Sequence, residues 1–354
     1  MRILVTGGAG YIGSHTVQSL IKEGHHPVVI DNLIYGHEDV VKKVLKVPLV
    51  IGNIGDQELL FQVLSGSHNK LKDSIHFGKS IEAVIHFAAY AYVGESVKKP
   101  MKYYINNVVE STKLLEVLCS ERIRRITKDH KPIPIIFSST CATYGIPSVN
   151  PISEEMDQLP INPYGRSKLM IEQIIKDLSS YSELRSVILR YFNAAGASED
   201  SSIGEDHSPE THLIPLALFA AMGIRNGIEI YGGDYKTKDG TCIRDYIHVV
   251  DLANAHVLAL NILNDKESDN LCSTFNLGNG KGFSVKEIIS SVERVTKKKV
   301  PFSITSRRLG DPAVLIASSS KIREQLKWVP FYTDINDIVL HAYKWFQKKY
   351  KVSK

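Results

Sequence analysis

Tyr164 and Lys168 stand four positions apart in the run Pro163-Tyr164-Gly165-Arg166-Ser167-Lys168, a spacing that puts both side chains on one face of a helix. A free phenol, with a pKa of about 10, is a poor base near neutrality. An adjacent ammonium and a positively charged nicotinamide both stabilise the phenolate and lower that value, which turns a tyrosine into a proton acceptor. Upstream, Thr140 closes the run Ser138-Ser139-Thr140. A hydroxyl at that strand end can hydrogen-bond the same substrate hydroxyl and pass its proton to Tyr164. Tyrosine and lysine at this spacing are commonplace by themselves, so their meaning depends on whether the chain also holds a redox cofactor.

The first apolar run ends in Gly7-Gly8-Ala9-Gly10-Tyr11-Ile12-Gly13-Ser14, a helical pattern follows, and Asp31 closes the next apolar run. Glycine is needed where a turn is tight, where backbone approaches a pyrophosphate and where helix packs on strand; the helix N-terminus offers unpaired amides to the phosphate. Asp31 follows Gly13 by eighteen residues, close to the ~20 of a carboxylate that binds the adenosine ribose hydroxyls. Such a carboxylate favours NAD over NADP, whose extra phosphate would meet like charge.

Positioning these groups requires a scaffold of alternating elements. Short β-branched runs at 2–6, 28–31, 49–54, 83–87, 133–138 and 186–191 alternate with helical patterns such as 12–23, 111–118 and 168–178. This alternation predicts an α/β fold with a doubly wound, Rossmann-type parallel sheet. After Asn193 the rhythm gives way to Gly, Ser, Asp and Pro. A helix over 285–296, a short strand and an aromatic C-terminal helix around Tyr343, Trp345 and Phe346 follow. They predict a smaller C-terminal α/β lobe closing over the carboxyl edge of the sheet, where ligands of such folds bind. Segments 65–80 and 121–131 read as surface excursions, and His86 as a packed, hydrogen-bonded residue.

Composition narrows the classes of function. At 43% hydrophobic and 23% charged residues the chain is far from the disordered regime. Its net charge of +5 comes from scattered basic residues with short clusters at 297–299 and 348–354, not from the concentrated stripe of a nucleic-acid module. Cys119, Cys141, Cys242 and Cys272 are far apart, unlike the close pairs of zinc or redox sites, and no metal is expected. The strand beginning at Met1 leaves no room for a signal peptide, and no apolar run is long enough to span a bilayer. The expected compartment is the cytoplasm, with no membrane or nucleic-acid partner.

The runs TGGAGYIGSH, DNL, HFAA with VGESV, YYINNV, FSST with YG, PYGRSKLMIEQ, LRYFNAAGA, DGTCIRDYIHVVDLA, FNLGNG and RRLGDPA follow one another along the chain. In that order they resemble the signatures of the UDP-glucose 4-epimerases, a family of extended short-chain dehydrogenases, from nearly the first residue to the last. The resemblance implies that Tyr164 removes the hydroxyl proton at sugar carbon 4 as hydride passes to NAD. The 4-keto sugar then swings about its bond to the diphosphate and takes the hydride back on its other face. Lys168 would hold the cofactor ribose and tune Tyr164, while Thr140 fills the place of serine in many members.

It also implies cofactor contacts from Gly7, Gly10, Tyr11, Ile12, Gly13, Asp31, Asn32, Asn53, Ile54, Phe87, Ala88, Ala89, Asn106, Tyr191 and Phe192, besides Tyr164 and Lys168. Asn193, His212, Leu213, Glu229 and Tyr231 would meet the UDP-sugar with Thr140 and Tyr164. Arg244 and Arg308 would grip its diphosphate, a task suited to guanidinium forks, and Asp311 the UDP ribose. Leu315 would stand beside the sugar's second carbon, where in the family a bulky tyrosine excludes N-acetyl groups and a small residue admits them. Leucine lies between, and among Val314 and Ile316 it reads equally well as a core aliphatic.

On this basis residues 1–193, receiving also 241–265, form the NAD-binding domain, 194–354 form mainly the UDP-sugar lobe, and the protein is a homodimer. Two departures stand out. Ala91 occupies the place of a lysine near the cofactor phosphates, and Asn53 that of a common aspartate at the adenine, keeping a carbonyl acceptor. Sister epimerases of glucuronate, xylose or N-acetylated UDP-sugars share the machinery and stay open as alternatives. So does a catalytically silent NAD sensor, which has no chemical need of Thr140, Tyr164 and Lys168 together. A 4,6-dehydratase would carry an acid pair after Thr140, where Cys141 and Ala142 stand.

Overall fold

The computed structural model describes residues 1–265, 269–308 and 311–351. Leu309 and Gly310 of the RRLGDPA run and the last three residues of the C-terminal basic cluster lie outside the described residues. In chain order the strands are β1 (Arg2–Thr6), β2 (His26–Asp31), β3 (Leu49–Ile51), β4 (Ala83–His86), β5 (Ile135–Thr140), β6 (Ser186–Tyr191), β7 (Asn193–Ala195), β8 (Ile228–Tyr231), β9 (Ile243–His248), β10 (Cys272–Leu277), β11 (Gly282–Ser284), β12 (Phe302–Thr305) and β13 (Val314–Leu315).

The main sheet has the order β10-β6-β5-β4-β1-β2-β3, with β1 parallel to both β2 and β4. A parallel sheet covered on both faces needs strands that are apolar throughout, and Ile3, Leu4, Val5, Val28, Val29, Ile30, Val84 and Ile85 are all fully buried. The strand order reverses direction at β1, and the crevice at the carboxyl end of such a reversal is where open α/β sheets bind ligands. Gly7 follows β1 at that point.

Two compact units divide the chain: Met1–Thr143, Pro160–Arg190 and Ala253–Phe275 in the first, Tyr144–Leu159, Tyr191–Leu252 and Asn276–Lys354 in the second. These boundaries differ from those expected from sequence. The returning segment is Ala253–Phe275 and not 241–265, because β9 pairs with β7, β11 and β13 in the second unit. Residues 144–159 also belong to the second unit, where the Ile152 N–H donates to the Ile316 carbonyl at 2.8 Å and the Ser318 N–H to the Ile152 carbonyl at 2.8 Å.

The seventh strand, β10, lies in a stretch whose polar Ser273, Thr274 and Asn276 hide its strand character. Segment 65–80 is more than a surface excursion: Leu71 and His76 are buried, Leu71 among the core residues of the first unit. Likewise Ile123 is buried in the short helix Glu121–Arg124. The second unit has its own core of Ile214, Leu218, Ile288, Val292, Ile338 and Phe346, drawn from helices Leu213–Ala221, Val285–Thr296 and Ile335–Tyr350. Among the described residues no helix is long and apolar enough to cross a membrane.

Candidate active site

The glycine turn is built for close approach. Gly7 sits at φ +69°, a conformation that favours glycine, and its N–H donates to the Ile30 carbonyl at 2.9 Å. A Cβ on Gly13 would stand 2.3 Å from the Gly7 carbonyl oxygen, and one on Gly7 2.7 Å from the Ala88 nitrogen. Gly10 holds the N-cap position of helix Tyr11–Lys22 with no side-chain hydrogen bond, so the start of this helix faces the glycine turn with no capping side chain in the way of an anion.

At the end of β2, Asp31 is nearly buried and accepts the Ala9 N–H at 3.0 Å and the Leu33 N–H at 2.9 Å. Burial raises its pKa, and the two amides pull the other way. The Asn32 amide donates to Asn53 Oδ1 at 2.8 Å, leaving the second lone pair of that oxygen available. Phe87 and Ala88 are fixed through Thr6, Phe87 N–H to its carbonyl at 3.0 Å and Ala88 N–H to Oγ1 at 3.3 Å. His86 is a packed residue, held by Thr6 Oγ1 at 2.7 Å and Ser111 Oγ at 2.9 Å. Asn106 donates at 2.9 Å to Asn107, and it is Asn107 that is buried and locks the Tyr90 backbone and Ser167 Oγ.

Helix Pro163–Ser182 carries the proposed chemistry. Pro163 occupies its first turn, and Asn162 caps it by accepting the Gly165 N–H at 2.8 Å. A Cβ on Gly165 would lie 2.4 Å from the Ala142 carbonyl; glycine here lets the helix seat directly on the turn that follows β5. Tyr164, Lys168 and Glu172 then form one buried ladder at i, i+4, i+8. Lys168 Nζ donates to the Ser138 carbonyl at 2.8 Å and lies 4.8 Å from the Phe137 ring centroid. Burial pushes its pKa down to about 7, against the partial support of Glu172. Thr140 is buried at the end of β5, where its Oγ1 accepts the Ala142 N–H at 3.1 Å. The ring of Tyr103 meets Tyr164 edge-on at 6.5 Å.

Glu172 and Arg190 are the members that sequence reasoning missed. Arg190 donates to Glu172 at 2.6 to 3.1 Å with both side chains essentially buried, and Ser139 Oγ donates to the same carboxylate. The signal was present: an acid continuing the four-residue spacing of Tyr164 and Lys168.

Within the second unit, Arg244 pairs with Asp311, and the Arg308 guanidinium lies 3.8 Å from the Tyr231 ring centroid. The Tyr231 hydroxyl donates to Glu229 at 2.9 Å. Leu315 is half-buried and stands opposite Arg244 in the β13–β9 register; Asn193 stands opposite Tyr246 in the β7–β9 register. His212 is engaged by carboxylates within the second unit. It caps the helix starting at Leu213, and its Nδ1 is engaged by Glu205 at 2.7 Å and Glu210 at 2.9 Å. Burial works against its imidazolium, but the two carboxylates outweigh it and raise the pKa well above the ordinary range.

Residues 3–278 match the NAD dependent epimerase/dehydratase family. The UDP-glucose 4-epimerase of Halalkalibacterium halodurans is 48% identical over 348 residues, 98% of this chain and 96% of that protein. The crystal structure of UDP-glucose 4-epimerase from Brucella ovis in complex with NAD is 46% identical with a TM-score of 0.86, covering 98% of each chain. That of the Bifidobacterium longum enzyme in complex with NAD+ and UDP is 36% identical with a TM-score of 0.85, over 99% of this chain and 98% of that one.

Proposed function

The chain belongs to the NAD dependent epimerase/dehydratase family, and we propose that it interconverts UDP-glucose and UDP-galactose by inverting carbon 4 through a 4-keto sugar. The observation that carries this reading is the buried Tyr164–Lys168–Glu172 ladder, seated by Gly165 on the turn after Thr140. The glycine turn and the Asp31 carboxylate fit NAD, since each close approach excludes a side chain and the carboxylate disfavours an added phosphate; rebinding of NAD and of NADP to stripped protein tests that preference. Held there by the glycine turn and Asp31, NAD would supply the hydride acceptor and donor for carbon 4.

Tyr164 accepts the carbon 4 hydroxyl proton, relayed by Thr140. Lys168 follows Tyr164 by one helical turn on the same buried face. A phenolate opposite Lys168 favours its ammonium, and the ammonium in turn favours the phenolate. Arg244 and Arg308 hold the diphosphate, with Asp311 keeping Arg244 oriented. Asn193, Leu213, Glu229 and Tyr231 complete the contacts with the UDP-sugar. The working form is a homodimer, and light scattering that gave the mass of a single chain would exclude it.

The decisive assay supplies purified protein with UDP-galactose. UDP-glucose should accumulate to a fixed ratio with no net NADH released; stoichiometric NADH or a free keto sugar as product would overturn epimerisation.

Leu315 sets the size limit at the sugar's second carbon in this reading. An acetamido group against a packed leucine costs about 1 to 3 kcal/mol, or roughly 5- to 150-fold in catalytic efficiency. UDP-glucose and UDP-galactose are therefore preferred over their N-acetyl counterparts, and Leu315→Cys narrows the gap. A ratio of efficiencies that does not move on substitution would make Leu315 a packing residue only.

A further inference from the structure

Sequence reasoning expects no metal in this protein, yet Glu205, His207, Glu210 and His212 converge in the second unit. One ligand atom from each lies within 4.8 Å of all the others. Glu205 Oε1 is 3.2 Å from His207 Nδ1 and 2.7 Å from His212 Nδ1, while Glu210 Oε2 lies 3.7 Å from His207 Nδ1 and Glu210 Oε1 2.9 Å from His212 Nδ1. With metal–ligand bonds of about 2.0 to 2.2 Å, the edges of a tetrahedral zinc site are about 3.3 to 3.6 Å. The carboxylate–imidazole spacings lie on both sides of that edge, and side-chain rotations would bring the four ligand atoms, now within 4.8 Å of one another, onto one ion.

Backbone contacts hold the Glu210 carboxylate and the Glu205 main chain in place. Glu210 Oε1 accepts the Thr211 and His212 N–H groups at 2.7 and 2.8 Å, which orients its other oxygen. The Glu205 carbonyl accepts the Trp345 indole N–H at 3.0 Å, and Gly204 is packed so closely on that indole that a Cβ would stand 2.3 Å from the ring. Outer support of this kind fixes ligand orientation in metal sites. Charge also fits: once the ion displaces the imidazolium protons, two carboxylates and two neutral imidazoles around a divalent ion sum to zero, and the imidazole nitrogens select a borderline cation over Mg²⁺ or Ca²⁺.

We propose that Glu205, His207, Glu210 and His212 form a structural Zn²⁺ site that clamps the 197–212 loop to the start of helix Leu213–Ala221. The site involves neither the glycine turn nor the Tyr164 ladder. In sequence it is written Glu-x-His-x-x-Glu-x-His, a spacing visible once histidine and glutamate are read together.

The test uses full-length protein dialysed against a chelator, then titrated calorimetrically with Zn²⁺ and separately with Mg²⁺, with metal content measured after desalting. One zinc per chain and a rise in melting temperature with zinc but not magnesium are expected. His207→Ala and Glu205→Gln should each weaken zinc binding by at least about 100-fold, more than the loss of an outer-shell partner. Glu205→Gln is nearly isosteric and carries the test if His207→Ala does not fold. Absence of stoichiometric zinc, equal uptake of magnesium, or unchanged zinc affinity in both variants would overturn the site and leave four groups that pair only with one another.

Discussion

Tyr164→Phe should lower turnover by at least about 100-fold, the lower range for losing a general base, while stability and cofactor content stay near those of the parent. The ring is buried and meets Tyr103 edge-on, and phenylalanine keeps that ring in the same volume. The hydroxyl alone is removed. The loss therefore falls on kcat, with little change in KM, as for an interaction made in the transition state. A variant with near-parental turnover would remove Tyr164 from the mechanism. One with lost cofactor would show that the substitution had acted through packing.

Glu172→Ala should destabilise the first unit by about 3 to 5 kcal/mol, because it strands the Arg190 charge without a partner in a dry interior. Arg190 is 3% exposed and Glu172 0%, so water cannot take over the lost contact. The same carboxylate holds Ser139, the residue before Thr140, and its charge supports the ammonium of Lys168. Urea unfolding followed by far-UV circular dichroism measures the loss. A midpoint within a few tenths molar of the parent would mean that the cluster tolerates an open charge.

What could be read in the sequence was local. The glycine turn, Asp31, and the spacing of Tyr164 and Lys168 each lie within one element or one turn, so residue type and interval were enough. The six early strands were recognisable because parallel strands buried on both faces leave unbroken apolar runs. Hidden features depended on partners distant along the chain. Strand β10 is interrupted by polar Ser273, Thr274 and Asn276 and gains its identity by joining the sheet next to β6. Arg190 looks like a surface charge until Glu172 and Ser139 stand beside it. His212 suggested a ligand contact, and only the fold brings Glu205, His207 and Glu210 to it. The segment 241–265 divides between the two units at Leu252/Ala253 for the same reason, since β9 takes its place from register with β7 and β11.

The way the units share the chain also bears on biosynthesis. The polypeptide passes from one unit to the other at 143/144, 159/160, 190/191, 252/253 and 275/276, so a ribosome that has made the first 193 residues has not finished either. Until Ala253–Phe275 emerges, β6 is an unpaired edge whose backbone groups invite pairing with another nascent chain. A fragment cut at residue 193 inherits that exposed edge permanently. Expression of the nucleotide-binding half by itself should therefore need the chain from Ala253 through the end of β10 at Leu277 to be rejoined through a linker, and a simple truncation is expected to aggregate.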